Sequence, residues 1–343
     1  MELLSNTPVH YTVPDEYVFP PEKRPDSDEL VDSTITLPVI DLAGSHPDVM
    51  DEIIKAGKDF GFFQVNHGVD EEVVREFRSA AADFFTLPAE EKLPYCSDDQ
   101  SKPFRVASST TYDGGQTRYW RDYLKIQCFP VDKFARHWPP KPDRLRECLA
   151  EYIVQVRKLA ARLLRLIAEG LGVAETFFAG ELSGGETQMN VNWYPPCPDP
   201  SLTLGLLPHC DRHLLTVLSQ GDVGGLQVKH AGRWIAVQPI PNAFVVNFGH
   251  QMEIVTNELL KSVEHRAVTN SAVARMSVAT LIMPEMKCRI APAMELVAEG
   301  TPKYRPFLFR EFMEAYAAAS ASREDVLNRF RIRASEPEPT PTE

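Results

Sequence analysis

The sequence predicts an α+β fold in which helices pack around one core of short antiparallel strands. Between residues 188 and 284, β-rich runs such as MNVNWY, LTVLS and AFVVNFG are separated by Gly, Pro and Asn turns. That pattern is typical of a sandwich or barrel. Outside this segment, apolar residues recur at spacings of three and four, as they do on the buried face of a helix.

The N-terminal half divides into an extended arm, residues 1–36, and a mainly helical region, residues 37–187, packed on the core. Two short apolar runs in this region, LPVIDLAG and GFFQVNHG, predict strands. The clearest helix runs from about Asp143 to Leu171. Asp143 suits its N-cap and Gly172 suits its stop.

The second half holds the strand-rich core, residues 188–300, and then two C-terminal helices within residues 301–333. The last ten residues, 334–343, are rich in Pro and Glu and predict a disordered tail.

Composition excludes several classes of function. The net charge of −12 argues against binding to nucleic acid or anionic membranes, which need a basic surface. No apolar run approaches the ~18 residues of a membrane span, and the N-terminus lacks the pattern of a secretory signal. The six cysteines are scattered without a CxxC pair, which favours reduced thiols. We expect a cytoplasmic monomer that binds a small molecule.

The chemistry-bearing residues fall in the strand-rich segment. His209 and Asp211 stand two positions apart in LLPHCDRHLLTVL, so they share one face of a strand. His265 follows 54 residues after Asp211, and Arg275 and Ser277 repeat the two-residue spacing ten residues later. Two histidines and one carboxylate form the facial triad of non-haem iron oxygenases, which leaves three coordination positions open. An Arg beside a Ser hydroxyl suits a carboxylate.

Each residue also has a simpler interpretation when it is considered alone. His209 and Asp211 could be a hydrogen-bonded pair, His265 a surface or capping residue, and Arg275 half of a salt bridge at a strand edge. Their coincidence in one segment favours the metal site.

With these residues the chain resembles the plant 2-oxoglutarate- and iron(II)-dependent dioxygenases. The likeness runs over about residues 37–330 and includes GFFQVNHGV, NWYPPCPDP, LLPHCDRHLLTVLSQGDVGGLQV, SVEHRAV and RMSVAT in the family's order. It is greatest to the branch of flavone synthase I and the downy-mildew-resistance-type salicylate hydroxylases. The resemblance implies a jelly roll, or double-stranded β-helix, with helices outside it.

The resemblance also implies roles for individual residues. Iron(II) is assigned three ligands, His209, Asp211 and His265. The co-substrate 2-oxoglutarate is assigned four contacts, Arg275, Ser277, Tyr194 and Asn192, although Tyr194 could equally be a core aromatic. Dioxygen is consumed, succinate and carbon dioxide are released, and the substrate is hydroxylated or desaturated. Ascorbate is expected to keep the iron reduced.

The substrate is expected to be a flavonoid or another phenolic, with an alkaloid or amine as the alternative. Five side chains are candidates for its pocket, and each could equally belong to the core: Phe104, Tyr112, Tyr123, Leu281 and Phe309. Leu281 stands where several flavonoid-acting relatives have Phe, which weakens the case for stacking there. A zinc hydrolase and a non-catalytic jelly-roll binding protein remain as alternatives of other classes.

Two departures from the family pattern concern residues near the predicted ligands. Cys210, between the first two ligands, is expected to face away from the iron and to matter little. His250 stands where relatives usually carry Asp, and a surface histidine is the simplest expectation.

Overall fold

The structure, a computed structural model, describes residues 2–7, 9–25, 30, 35–108, 117–297, 300–322 and 325–332. The predicted pocket residue Tyr112 and the predicted tail, residues 334–343, lie outside this part of the chain. The strands are β1 (Val39–Asp41), β2 (Phe62–Asn66), β3 (Phe104–Ser108), β4 (Asp122–Phe129), β5 (Thr187–Tyr194), β6 (Leu206–His209), β7 (Leu215–Ser219), β8 (Leu226–His230), β9 (Arg233–Ala236), β10 (Phe244–Phe248), β11 (His265–Ala267), β12 (Arg275–Ile282), β13 (Arg289–Ile290) and β14 (Phe307–Leu308).

The helices surround these strands. They are α1 (His46–Asp59), α2 (Glu71–Thr86), α3 (Ala89–Lys92), α4 (Val131–Phe134), α5 (Leu145–Gly170), α6 (His250–Val255) and α7 (Phe309–Ser322). Short 3-10 turns connect several of them, including Val326–Arg329 near the C-terminus. None of the described helices is long and apolar enough to cross a membrane.

Two sheets form the jelly roll that the resemblance implied. The larger has the order β1-β2-β10-β7-β12-β5-β4-β3, and the smaller has the order β6-β11-β8-β9. Except for the parallel pair β1 and β2, the neighbouring strands run antiparallel. The α+β fold is therefore confirmed.

The long helix α5 shows how the core forms. Its apolar stripe, which includes Leu149, Ile153, Val156 and Leu163, is fully buried, and the helix packs against α1 and α2. It begins at Leu145 with Arg144 as the N-cap, so Asp143 does not cap it. Gly172 follows its end with a φ of 76°, a left-handed conformation that favours glycine.

The large sheet crosses the boundary expected at residue 188. Strands β1 to β4 come from residues 39–129 and form both ends of this sheet, so the predicted helical region also builds the core. The sequence analysis did not identify β4 as a strand. Among the described residues of 301–333, only α7 is an α-helix, and the second predicted helix is represented by the 3-10 turn Val326–Arg329.

The described part of the N-terminal arm is fastened to β4. The buried carboxylate of Asp122 accepts hydrogen bonds from the backbone N–H groups of Leu4 and Ser5, at 3.0 and 2.7 Å. Leu4 and Tyr17 also pack in a small apolar cluster with Trp120. These contacts hold the arm against the outer face of the strand that lines the site.

Candidate active site

The three predicted metal ligands lie together where β6 ends and β11 begins. His209 and His265 are cross-strand partners in this antiparallel pair, and their ring centroids are 4.2 Å apart. The Asp211 carboxylate lies 3.8 Å from Nε2 of His209 and 3.9 Å from Nε2 of His265. One ligand atom from each residue lies within 4.8 Å of the others, so a single metal ion could be held by all three.

Hydrogen bonds orient the ligand atoms toward this common point. Nδ1 of His209 donates to the carbonyl of Leu207 at 2.8 Å, and Nδ1 of His265 donates to the carbonyl of Val263 at 3.2 Å. Both imidazoles therefore present Nε2 to the metal. Such outer contacts fix the tautomer and orientation of metal-binding histidines.

The Asp211 carboxylate is held by two donors on neighbouring strands. Its Oδ2 accepts from Oγ1 of Thr216 at 2.6 Å and from Nδ2 of Asn247 at 2.7 Å. The buried His213 lies 2.5 Å from the same Thr216 hydroxyl. These contacts leave Oδ1 available for a metal, as a facial triad with one carboxylate oxygen requires.

Burial and nearby charges keep His209 and Asp211 in the protonation states that metal binding requires. Burial lowers the pKa of His209 to about 3, so its imidazole is neutral. Burial alone would raise the pKa of Asp211, but His213, His265 and His209 together hold that pKa well below its usual range. Neutral imidazoles and an ionised carboxylate are the metal-binding forms.

Arg275 and Ser277 face the metal site from the large sheet. Arg275 pairs across strands with Tyr194, and its guanidinium lies 5.0 Å from the centre of that ring. Ser277 pairs with Asn192, whose Nδ2 lies 3.4 Å from its hydroxyl. Arg275 is only 2% exposed, and no carboxylate in the described part of the chain pairs with it. A buried guanidinium without an anion is a ready partner for a ligand carboxylate.

A cavity of about 780 Å³ lies between the sheets and contains the metal-binding side chains. One wall comes from alternate residues of four adjacent strands, as the two-residue repeat of a strand dictates. This wall consists of Arg105 on β3, Tyr123 and Lys125 on β4, Gln188, Asn190, Asn192 and Tyr194 on β5, and Arg275, Ser277, Ala279 and Leu281 on β12. Helix α7 closes one side with Met313, Tyr316 and Ala317.

The structure separates the predicted pocket residues into two groups. Tyr123 and Leu281 line the cavity. Phe104 faces the opposite side of β3 from Arg105 and packs against Phe84 in the main core, so it does not line the cavity. Phe309 opens α7 and is fully buried in the same core, while later turns of that helix reach the cavity.

The positive charge of this cavity was not predicted from the sequence. Among the described residues, six cationic side chains line it, Arg105, Arg121, Lys125, Arg212, Arg266 and Arg275, against two carboxylates, Asp98 and Asp211. The alternation Arg-Asp-Tyr-Leu-Lys over residues 121–125 was a usable signal, since every second residue is basic or aromatic. It lay in the strand that the sequence analysis did not identify.

The two departures that lie next to predicted ligands in the sequence, Cys210 and His250, both lie away from the cavity. The Cys210 thiol lies 3.9 Å from the carbonyl of Ser262, and burial raises its pKa to about 12, so it is neutral. His250 is not a surface histidine as expected: it is 7% exposed and packs edge-on against Phe312 of α7. Neither side chain lines the cavity.

This combination of features defines a class of protein. A jelly roll that presents two histidines and one carboxylate to a cavity, with a buried arginine facing them, has the structure of a mononuclear non-haem iron oxygenase. The donor set fits iron(II), because three coordination positions stay open for a co-substrate and dioxygen.

Comparisons with known proteins agree with this class. The model of the 2OG-Fe(II) oxygenase superfamily matches residues 185–284, and that of the non-haem dioxygenase in morphine synthesis N-terminal domain matches residues 37–141. The chain is 48% identical to the 2'-deoxymugineic-acid 2'-dioxygenase of Hordeum vulgare, over 92% of this chain and 93% of the relative. It is 40% identical to flavanone 3-dioxygenase 2 of Oryza sativa subsp. japonica, over 96% and 97%.

A solved structure shows the same fold with its ligands. JOX2, crystallised in complex with 2OG, Fe and JA, superposes with a TM-score of 0.82 at 34% identity, over 92% of each chain. This chain belongs to the 2-oxoglutarate- and iron(II)-dependent oxygenase superfamily. It is a 2-oxoglutarate-dependent dioxygenase, as the sequence resemblance implied, with Fe(II) and 2-oxoglutarate as cofactor and co-substrate.

Proposed function

We propose that this dioxygenase hydroxylates or desaturates a small specialised metabolite that carries carboxylate groups. The observation that supports this most strongly is the charge of the cavity, where six cations face two carboxylates among the described lining residues of a chain of net charge −12. Five of the six, all except Arg266, form no ion pair with a carboxylate of the described residues. Buried charge of one sign is costly unless a ligand neutralises it.

Under this proposal, three groups of residues bind the iron, the co-substrate and the substrate. His209, Asp211 and His265 hold Fe(II), which activates dioxygen when 2-oxoglutarate is bound beside it. Arg275 and Ser277 bind the distal carboxylate of 2-oxoglutarate, with Tyr194 and Asn192 beside them. The side chains farther along the same strands orient the substrate and exclude water from the reacting carbon.

The relatives support an acidic substrate. The most similar of the relatives reported above is named for 2'-deoxymugineic acid, and JOX2 was crystallised with JA. The positive cavity suits a compound of this acidic type better than a neutral flavonoid. The first expectation of the sequence, a flavonoid or other phenolic, is therefore our second candidate.

One observation still favours the flavonoid, namely the 40% identity to flavanone 3-dioxygenase 2. The predicted pocket residues that line the cavity offer it little free aromatic surface. Tyr123 lies between the guanidinium groups of Arg105 and Arg121, at 5.2 and 4.7 Å from its ring centre, and Leu281 supplies no ring.

A substrate panel tests the proposal. Iron(II)-loaded protein receives 2-oxoglutarate, air and one compound at a time: 2'-deoxymugineic acid, salicylate, a flavanone or hyoscyamine. We expect succinate release to rise with 2'-deoxymugineic acid and to stay at background with the flavanone. Omission of 2-oxoglutarate is the matched control. If only the flavanone raised succinate release, the proposed acidic substrate would be wrong and the phenolic substrate correct. The assignment as a 2-oxoglutarate-dependent dioxygenase would be unaffected.

A further inference from the structure

Three cations of the cavity form a group of their own. Arg105 pairs with Lys125 across β3 and β4, and Lys125 pairs with Asn190 across β4 and β5, so the three side chains stand in one row of the wall. Arg212, which follows the metal ligand Asp211, lines the same cavity and stacks 5.5 Å from the ring centre of Tyr316 on α7. We call Arg105, Lys125 and Arg212 the cationic cluster.

Among the described residues, the hydrogen-bond partners of the cluster are all neutral. Arg105 donates to the carbonyl of Ser97 at 3.0 Å, and to Oε1 of Gln100 and the Tyr123 hydroxyl, both at 2.6 Å. Lys125 donates to the carbonyl of Gln100. Arg105 is only 2% exposed, and its buried Nε has no hydrogen-bond partner among the described residues. A buried guanidinium with a free donor and no ion-paired carboxylate can bind an anionic ligand group through charge-assisted hydrogen bonds.

The three charges also act on one another. Burial lowers the pKa of Lys125 to about 8, and the charges of Arg105 and Arg212 lower it in the same direction, while Asp99 opposes them. These effects place Arg105 and Arg212 close to Lys125, with the carboxylate of Asp99 also nearby.

The cationic cluster is separate from the proposed co-substrate anchor. In the wall, Asn190 pairs with Ala279, so the row of Arg105 and Lys125 lies four residues along β12 from Arg275. That is ~13 Å at the usual rise of a strand. An extended five-carbon acid spans roughly half of this backbone separation. The separation therefore favours two different molecules at the two groups of cations.

We propose that the cationic cluster is a second carboxylate-binding subsite, which holds an anionic end of the oxidised substrate while Arg275 holds 2-oxoglutarate. This inference rests on the proposed function and makes it more specific. It places a carboxylate of the substrate at the row of Lys125. The substrate is accordingly an acid with at least one carboxylate remote from the carbon that is oxidised.

Binding of a plain tricarboxylate tests the subsite without turnover. The protein is loaded with Mn(II) and saturated with a non-oxidisable 2-oxoglutarate analogue, so that Arg275 is occupied, and titrated with propane-1,2,3-tricarboxylate by calorimetry. Lys125→Gln and Arg212→Gln should each weaken binding about tenfold, because each removes one charge-assisted contact. Lys287→Gln removes the same charge from an exposed site and is the matched control. Arg105 is left intact because its burial makes a folding defect hard to separate from lost binding.

The outcomes separate the subsite from the proposed function. If no acid of the panel releases succinate but the two variants lose tricarboxylate binding, the subsite stands and the assigned substrate fails. If 2'-deoxymugineic acid is oxidised with the same KM by the wild type and both variants, the function stands and the subsite is wrong. No tricarboxylate binding by the wild-type protein, or equal binding by all variants, would also overturn the subsite.

Discussion

The two sheets of the jelly roll contribute to the site in different ways. The small sheet and the loop after β6 supply the three proposed metal ligands from two short stretches of chain, around residues 209 and 265. The large sheet supplies the cationic and polar wall from four strands that are far apart in sequence, β3, β4, β5 and β12. The proposed metal ligands on the small sheet, the metal side, are therefore visible as a local sequence pattern. The wall on the large sheet, the substrate side, is assembled only when distant strands pair.

The largest expected effect is on the metal side. Asp211→Ala removes the only carboxylate of the triad and leaves Thr216 and Asn247 without their acceptor. We expect succinate formation to fall to the level of metal-free protein, with reduced bound iron by elemental analysis. Full activity in this variant would refute the iron site.

On the large sheet, Arg275→Ala should raise the concentration of 2-oxoglutarate required by about 10- to 100-fold, because charge-assisted contacts to its carboxylate disappear. The residue lies opposite the metal, so iron content should be unchanged. Arg275→Lys keeps the charge but loses the planar fork of the guanidinium. Its required concentration of 2-oxoglutarate should therefore lie between those of the wild type and Arg275→Ala. An unchanged requirement for 2-oxoglutarate would show that this carboxylate binds elsewhere.

The outer contacts of the metal side should matter less than the ligands. Thr216→Val removes the hydroxyl that donates to Asp211 and lies against His213, at nearly constant volume. Iron affinity should fall about tenfold, the lower end of what such contacts contribute. Competition with a chelator of known affinity measures the change, and wild-type affinity would mean that Asn247 alone holds the carboxylate.

The smallest effect concerns pH on the substrate side. Because the pKa of Lys125 is lowered to about 8, its charge is present at pH 7 and largely absent at pH 9. The groups that face it are Arg105 on β3, Arg212 after β6 and Asp99 before β3. The KM for an acidic substrate should rise about three- to tenfold over this range. Lys125→Gln should abolish this increase in KM between pH 7 and pH 9. An equal increase in the variant would mean that another titratable group causes it.

These differences explain what the sequence could predict. The metal ligands and the Arg275–Ser277 pair follow from two-residue spacing on strands and from a family resemblance over about residues 37–330. The jelly roll followed from the same signals, and it is confirmed by the structure. Helix α5 was predicted within two residues at each end, since its apolar stripe is long.

The pocket could not be predicted in the same way. Phe104 and Arg105 are neighbours in sequence but face opposite sides of β3, and only pairing with β4 determines which side becomes the cavity. The choice of Phe104 followed hydrophobicity, which indicates burial but not the side. Helix α7 presented the same difficulty, because Phe309 enters the core while Met313 and Tyr316 reach the cavity.

The alternation along β4 has a consequence for how such enzymes diverge. Tyr123 and Lys125 face the cavity, whereas Leu124 and Ile126 are fully buried in the core and Asp122 fastens the N-terminal arm. A substitution at Tyr123 or Lys125 can change the accepted compound, while Asp122, Leu124 and Ile126 preserve stability. After gene duplication, one copy could thus acquire a new substrate by a single codon change, with its oxidative chemistry inherited intact.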